Sequence, residues 1–141
     1  MEIKLDADTL RLFTLFENVT RARVKDCLEE EDRLVFVVPE EDVGKAIGKQ
    51  AANLRKLKDI LKKDIEIVGF NDDRQKFIAN IFRKYEVEAI EIDERKDGVI
   101  QARVRVAARD KGRAIGRGGR NVQLARTLAK RHHGVHDVIV E

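Results

Sequence analysis

Asp110-Lys111-Gly112-Arg113-Ala114-Ile115-Gly116-Arg117-Gly118-Gly119-Arg120-Asn121-Val122 has a counterpart earlier in the chain, at a constant offset: Asp42-Val43-Gly44-Lys45-Ala46-Ile47-Gly48-Lys49-Gln50-Ala51-Ala52-Asn53-Leu54. The Asp, the first Gly, the Ala-Ile-Gly and the Asn coincide, and Lys exchanges with Arg at two further positions. Two copies of such a stretch indicate a duplicated small domain rather than a solenoid, which needs three or more stacked units.

The flanks repeat in the same order. Asp6 or Asp8 is placed to cap a helix whose apolar residues Leu12, Leu15, Phe16 and Val19 recur at helical spacing. A hairpin is predicted next, from Arg21–Leu28, an acidic turn Glu29–Asp32 and the apolar run Leu34–Val38, closed by Pro39, which cannot donate to a ladder. Helical segments around Glu41–Ile47 and Ala51–Lys62 meet at Gly48, and Ile65–Val68 reads as a strand. In the second half Phe77, Ile78, Ile81, Phe82 and Tyr85 define a helical face. Val87–Asp93 and Val99–Val106, joined by an Asp97-Gly98 turn, form the hairpin, and the alternation of Ile100, Ala102, Val104 and Val106 with Gln101, Arg103 and Arg105 predicts one buried face. Helices near Arg109–Ile115 and Arg120–Arg131 and a strand at Val138–Val140 complete the copy. Each half thus reads helix–strand–strand–helix–helix–strand, and the expected architecture is α+β, with domains at 1–70 and 71–141 joined by the short link Gly69–Asp72.

Composition bounds the function. The chain has 141 residues, 43% of them hydrophobic, enough for a core, and a single Cys, which excludes a disulfide framework and a Cys-based zinc finger. No apolar run approaches a membrane span, and the first ten residues lack the pattern of a secretory signal, so a soluble cytoplasmic protein is expected. The net charge of +3 is small, but its distribution is not even. Residues 1–70 hold 13 basic and 15 acidic groups, and residues 71–141 hold 16 and 11. Lys45–Lys63 contains seven Lys/Arg and one acid, and Arg103–Arg131 contains ten and one. Positive charge gathered on the glycine-bearing helix pairs points to a polyanionic partner.

Glycines between two helices let a backbone approach an anionic chain without Cβ atoms in the way. The following helix start offers N–H groups and a positive dipole end. Arg117 and Arg120 add charge-assisted contacts to phosphate.

The segment Ile115-Gly116-Arg117-Gly118-Gly119-Arg120-Asn121-Val122 resembles the signature of the KH domain in its helix-first, type II order, and Ile47-Gly48-Lys49-Gln50-Ala51-Ala52-Asn53-Leu54 is a second, degenerate copy in which Ala51 replaces the second glycine. Tandem type II KH domains of this length look like archaeal NusA-like transcription factors. The resemblance implies two three-stranded sheets packed by helices, and a non-enzymatic protein that binds single-stranded RNA and controls transcription elongation or termination on nascent transcripts. It also implies contact with RNA polymerase or other transcription proteins. Carried onto this sequence, the principal clamp is Ile115, Gly116, Arg117, Gly118, Gly119, Arg120 and Val122 with Arg113. The weaker one is Ile47, Gly48, Lys49, Gln50 and Ala51 with Lys45, where the Ala51 methyl is expected to hold phosphate away.

Other readings fit less well. Helix capping explains one of the glycines but not two copies with flanking cations. Gly44–Gln50 is too short for a phosphate-binding P-loop and lacks its Ser/Thr, and no strand leads directly into Gly116, as a dinucleotide fingerprint requires. His132, His133 and His136 diverge around a helix and are expected to be solvated or beside phosphate rather than on a metal. Cys27 reads as a small buried hydrophobe. No catalytic triad or carboxylate pair is spaced for chemistry, and no cofactor is expected. The rival readings are a ribosomal or ribosome-assembly KH factor and, in another class, an interaction scaffold on the transcription machinery whose acidic hairpin or Ala51-bearing repeat docks polymerase or another protein.

Overall fold

In the computed structural model, which describes residues 7–141, the chain divides into two compact units, the first ending at Asn71 and the second formed by Asp72–Glu141. Both are α+β, and both follow the element order read from the repeat.

The first unit opens with α1 (Ala7–Thr20), whose Leu12, Leu15, Phe16 and Val19 pack on the core. The Phe16 ring stacks on Phe36 with centroids 4.2 Å apart. Of the two expected N-caps, Asp6 lies outside the described residues, and Asp8 sits inside the first turn, paired with Arg11 at 3.3 Å. The helix stops where the Thr20 hydroxyl donates to the Phe16 carbonyl (2.8 Å) and accepts from Ala22 N–H (3.0 Å), with Arg21 left-handed at φ +64°. A three-stranded sheet follows, in the order β1 (Asp26–Glu29), β2 (Arg33–Pro39), β3 (Asp64–Phe70), with β1 antiparallel and β3 parallel to β2.

The first strand is shorter than the predicted Arg21–Leu28. The N–H groups of Arg23 and Val24 are taken by the side chains of Asp42 and Glu17, at 3.2 and 3.0 Å, and the bond from Lys25 N–H to the Val37 carbonyl (2.7 Å) is where pairing to β2 begins. β2 is buried at every position from Leu34 to Val38, as its unbroken apolar run requires. Parallel neighbours need a crossover. It is made by α2 (Val43–Ile47) and α3 (Ala52–Leu61), so the loop between these helices lies midway between the central strand and its parallel neighbour.

The second unit repeats this with α4 (Arg74–Ile81), β4 (Val87–Glu94), β5 (Ile100–Val106), α5 (Lys111–Ile115), α6 (Arg120–His133) and β6 (Asp137–Val140), in sheet order β4-β5-β6. Asp73 caps α4 by accepting from Lys76 N–H at 3.1 Å. The helix ends at Ile81 rather than reaching Tyr85. Phe82 N–H is shared between the Ile78 and Ala79 carbonyls, and Tyr85 is carried in a turn, its N–H bonded to the Phe82 carbonyl at 3.0 Å. β5 shows the expected alternation, with Ala102, Val104 and Val106 buried beneath α5 and α6. Among the described residues no helix is long and apolar enough to cross a membrane.

Candidate nucleic-acid interface

The two inter-helix loops have nearly the same backbone. α2 ends at Gly48 (φ +80°, ψ 167°) and α5 at Gly116 (φ +81°, ψ 162°), a conformation that is essentially glycine's alone. Space imposes the same choice. A Cβ on Gly116 would lie 2.9 Å from the Asn121 amide nitrogen and 3.0 Å from its backbone N, and a Cβ on Gly48 would meet Asn53 equally closely. Gly118 and Gly119 are also left-handed, at φ +64° and +79°, but a Cβ on either would find no atom within 4 Å. Glycine there is favoured by conformation alone, and it leaves the backbone bare on an open side. In the first unit Gln50 and Ala51 take the same left-handed turn, at φ +54° and +59°. This conformation costs a residue with a Cβ about 1–2 kcal/mol. The Ala51 substitution therefore adds a methyl group without changing the path of the loop.

Two repeated side chains hold each loop. The amide of Asn53 donates to the Lys45 carbonyl, and that of Asn121 to the Arg113 carbonyl, both at 2.9 Å, stapling the start of the second helix to the last turn of the first. Asn121 also lies 3.4 Å from the Tyr85 hydroxyl. Asp42 accepts from Arg23 N–H (3.2 Å) and Arg23 Nε (3.3 Å), while Asp110 accepts from Glu86 N–H (2.9 Å) and the Arg113 guanidinium. Both carboxyls are held below the usual range, first by the backbone N–H that each accepts and then by the neighbouring arginine, against the opposing effect of burial. All four residues coincide in the repeat. That match was their only signal in the sequence, and it assigned them no role.

Neither α3 nor α6 carries a side-chain N-cap bond; the Ala52 N–H is taken by the Lys49 carbonyl and the Arg120 N–H by the Arg117 carbonyl, within the loops themselves. Lys45, Lys49, Arg113 and Arg117 are exposed around the loops, while Arg120, Ile47 and Ile115 are half-buried. Val122 is only 6% exposed, so Ile115 is the more accessible of the two apolar residues flanking the second loop. The basic clusters are partly neutralised from other elements: Arg109 pairs with Glu86 (2.6 Å), Arg126 with Asp137 (2.8 Å), Arg103 with Glu91 and Asp93, and Arg113 with Asp110. Arg117 has no acidic partner among the described residues. An exposed cation beside a bare left-handed turn and a helix start that no side chain caps suits a phosphodiester.

The histidines lie elsewhere. The His132 and His133 rings pack on Phe77, with centroids 5.6 and 5.3 Å away, and His136 Nδ1 accepts from Ile100 N–H at 3.0 Å. His136 is exposed, as expected, while His132 and His133 are half-buried against the Phe77 ring. Among the described residues no group of three His, Cys, Asp or Glu could hold a metal. Cys27 is half-buried against the first core.

Comparison with known proteins matches residues 13–70 to the KH domain and residues 74–137 to the NusA-like second KH domain. A probable transcription termination protein NusA from Methanococcus vannielii is 34% identical over 99% of this chain and 80% of its own length. Another protein so named, from Halococcus morrhuae, is 34% identical over 98% of both chains. The crystal structure of APE1850 superposes with a TM-score of 0.79 at 34% identity, covering 97% of this chain and all of that one. Duplicated KH architecture and end-to-end similarity lead to one conclusion: the chain belongs to the NusA family of tandem KH-domain proteins.

Proposed function

We propose that this protein is a non-enzymatic factor that binds single-stranded RNA and acts on nascent transcripts in transcription termination or elongation control in the cytoplasm. The observation that carries the reading is the second loop, where Gly116–Gly119 presents bare backbone between exposed Arg117 and an α6 start that no side chain caps. A loop of this kind grips the backbone of about four nucleotides and leaves the bases to an adjacent groove. Arg117, Arg120 and Arg113 supply charge to the phosphates, and Ile115 and Val122 border the bases. Lys45, Ile47, Gly48, Lys49, Gln50 and Ala51 form the corresponding clamp of the first unit.

The names of the archaeal relatives support a role in transcription over one in the ribosome. The scaffold reading draws less support, because the acidic hairpin is partly neutralised from within its own unit: Glu29 pairs with Lys63 at 3.1 Å and Glu30 with Arg33. RNA polymerase or another transcription protein remains the proposed protein partner. Replacing Gly118 and Gly119 by Asp puts negative charge on the clamp. Filter binding to single-stranded RNA should show a loss of roughly tenfold or more, and affinity of the parent should fall steeply with added salt. Unchanged affinity in the double variant would sink the assignment.

A further inference from the structure

The first loop keeps its left-handed path without the glycines that make it easy in the second. Gln50 (φ +54°, ψ 34°) and Ala51 (φ +59°, ψ 27°) follow Gly118 (φ +64°, ψ 17°) and Gly119 (φ +79°, ψ 15°) closely. One further contact distinguishes the first loop. The Arg55 guanidinium, on the first turn of α3, donates to the Gln50 carbonyl. The same position on α6 is Gln123, in the unit whose loop is Gly-Gly. Within one chain, Arg accompanies Gln-Ala and Gln accompanies Gly-Gly.

We infer that Arg55 is the positioning residue of the first RNA clamp, holding the Gln50 carbonyl so that two non-glycine residues stay in the left-handed turn that brings the loop backbone to phosphate. The inference rests on the RNA-binding reading proposed above. The tether acts on the turn from outside. It fixes the orientation of the peptide between Gln50 and Ala51, and with it ψ of Gln50 and φ of Ala51. The Asn53 staple and the bond from Ala51 N–H to the Gly48 carbonyl (3.1 Å) hold the two flanks of the same turn. The second loop has counterparts of both flanking bonds, with Gly119 N–H 3.0 Å from the Gly116 carbonyl, so Arg55 is the added element. Glycine occupies left-handed conformations at no steric cost and has no need of such a tether.

The test uses the full chain with the second clamp silenced by Gly118→Asp and Gly119→Asp, and a mixed-sequence single-stranded RNA oligonucleotide as probe. In that background Arg55→Gln should weaken the remaining binding by roughly fivefold, the scale of one charge-assisted hydrogen bond at a solvent-exposed site. Adding Gln50→Gly and Ala51→Gly should restore it to within about twofold, because glycines hold the turn unaided. Arg55→Lys, which keeps the charge and a donor, should recover part of the loss. NMR couplings that report the sign of φ at Gln50 and Ala51 supply a readout independent of RNA. Arg55→Gln in the otherwise unaltered chain should reduce their left-handed population. Retained couplings, or a loss of binding that the glycines do not rescue, would overturn the inference. If silencing the second clamp leaves affinity untouched, the RNA-binding reading itself fails. If silencing lowers affinity and Arg55→Gln then changes nothing, only the tether is wrong. If silencing abolishes measurable binding, the first unit is no RNA clamp and the inference is overturned.

Discussion

The loops at Gly48–Ala51 and Gly116–Gly119 reach one backbone shape by different chemical means. In the second unit conformational freedom comes from three glycines; in the first a single glycine remains, and Gln50 and Ala51 are held left-handed with a guanidinium on the loop carbonyl. What the units share shows which parts of the motif are indispensable. Both keep the glycine whose Cβ would strike the asparagine, the asparagine itself and the aspartate at the start of the first helix. The positions that vary are those where a Cβ meets only open space. A motif residue under both steric and conformational constraint is retained, whereas one under conformational constraint alone can be replaced if another contact holds the turn.

The largest test of that distinction is Gly116→Ala beside Gly48→Ala. Each places a Cβ about 3 Å from an asparagine in a glycine-only conformation, and each should destabilise its unit by at least about 2 kcal/mol in chemical denaturation. Gly119→Ala, strained but unobstructed, should cost about 1 kcal/mol. If Gly116→Ala is no worse than Gly119→Ala, the division between the two kinds of glycine collapses. Removing the staples comes next. Asn121→Ala and Asn53→Ala should each lose about 1 kcal/mol, with the larger loss at Asn121, which also meets the Tyr85 hydroxyl. Equal losses would show that the Tyr85 contact contributes nothing.

The aspartates predict a pH dependence common to both units. A carboxyl whose folded pKa is depressed contributes stability that is complete above its unfolded value, about 3.9, and is lost as the pH falls through the lower folded value. Stability should therefore drop on acidification below about pH 4. Asp42→Asn and Asp110→Asn should each make that acid limb shallower in denaturation curves recorded against pH. An unchanged limb in both would remove the aspartates from the account. The smallest expected effect is a gain. Ala51→Gly relieves the left-handed strain but loosens the unfolded chain, leaving a net change within about 1 kcal/mol of zero and a weaker dependence on Arg55.

Much of this was legible in the residues. The Leu34–Val38 run, the alternation in Ile100–Val106 and the duplicated glycine motif placed the sheets and the inter-helix loops, because burial and left-handed turns impose periods and residue types that show in a single chain. Element ends were less visible. β1 starts late and α4 stops short of Tyr85, because the N–H groups of Arg23, Val24 and Tyr85 found partners at Asp42, Glu17 and Phe82, which no local pattern announces. Local charge misled in a similar way. Ten basic residues against one acid in Arg103–Arg131 looks like an open cationic face, yet Arg103, Arg109 and Arg126 are paired with acids from β4, β6 and the turn before β4.

By itself the sequence determined that there are two α+β copies of one unit, that a glycine-bearing loop joins the two crossover helices of each, and that cations cluster around it. Those properties depend on spacing and residue type, which a linear chain displays in full. Only the tertiary structure decided that the Gln-Ala loop keeps the Gly-Gly path, that Asn53 and Asn121 staple the loops, and that Asp42 and Asp110 anchor them. These outcomes depend on which donor meets which acceptor across a fold. Arg55 and Gln50 are five positions apart, Asn121 and Tyr85 are 36 apart, and a sequence states such separations without stating which are bridged.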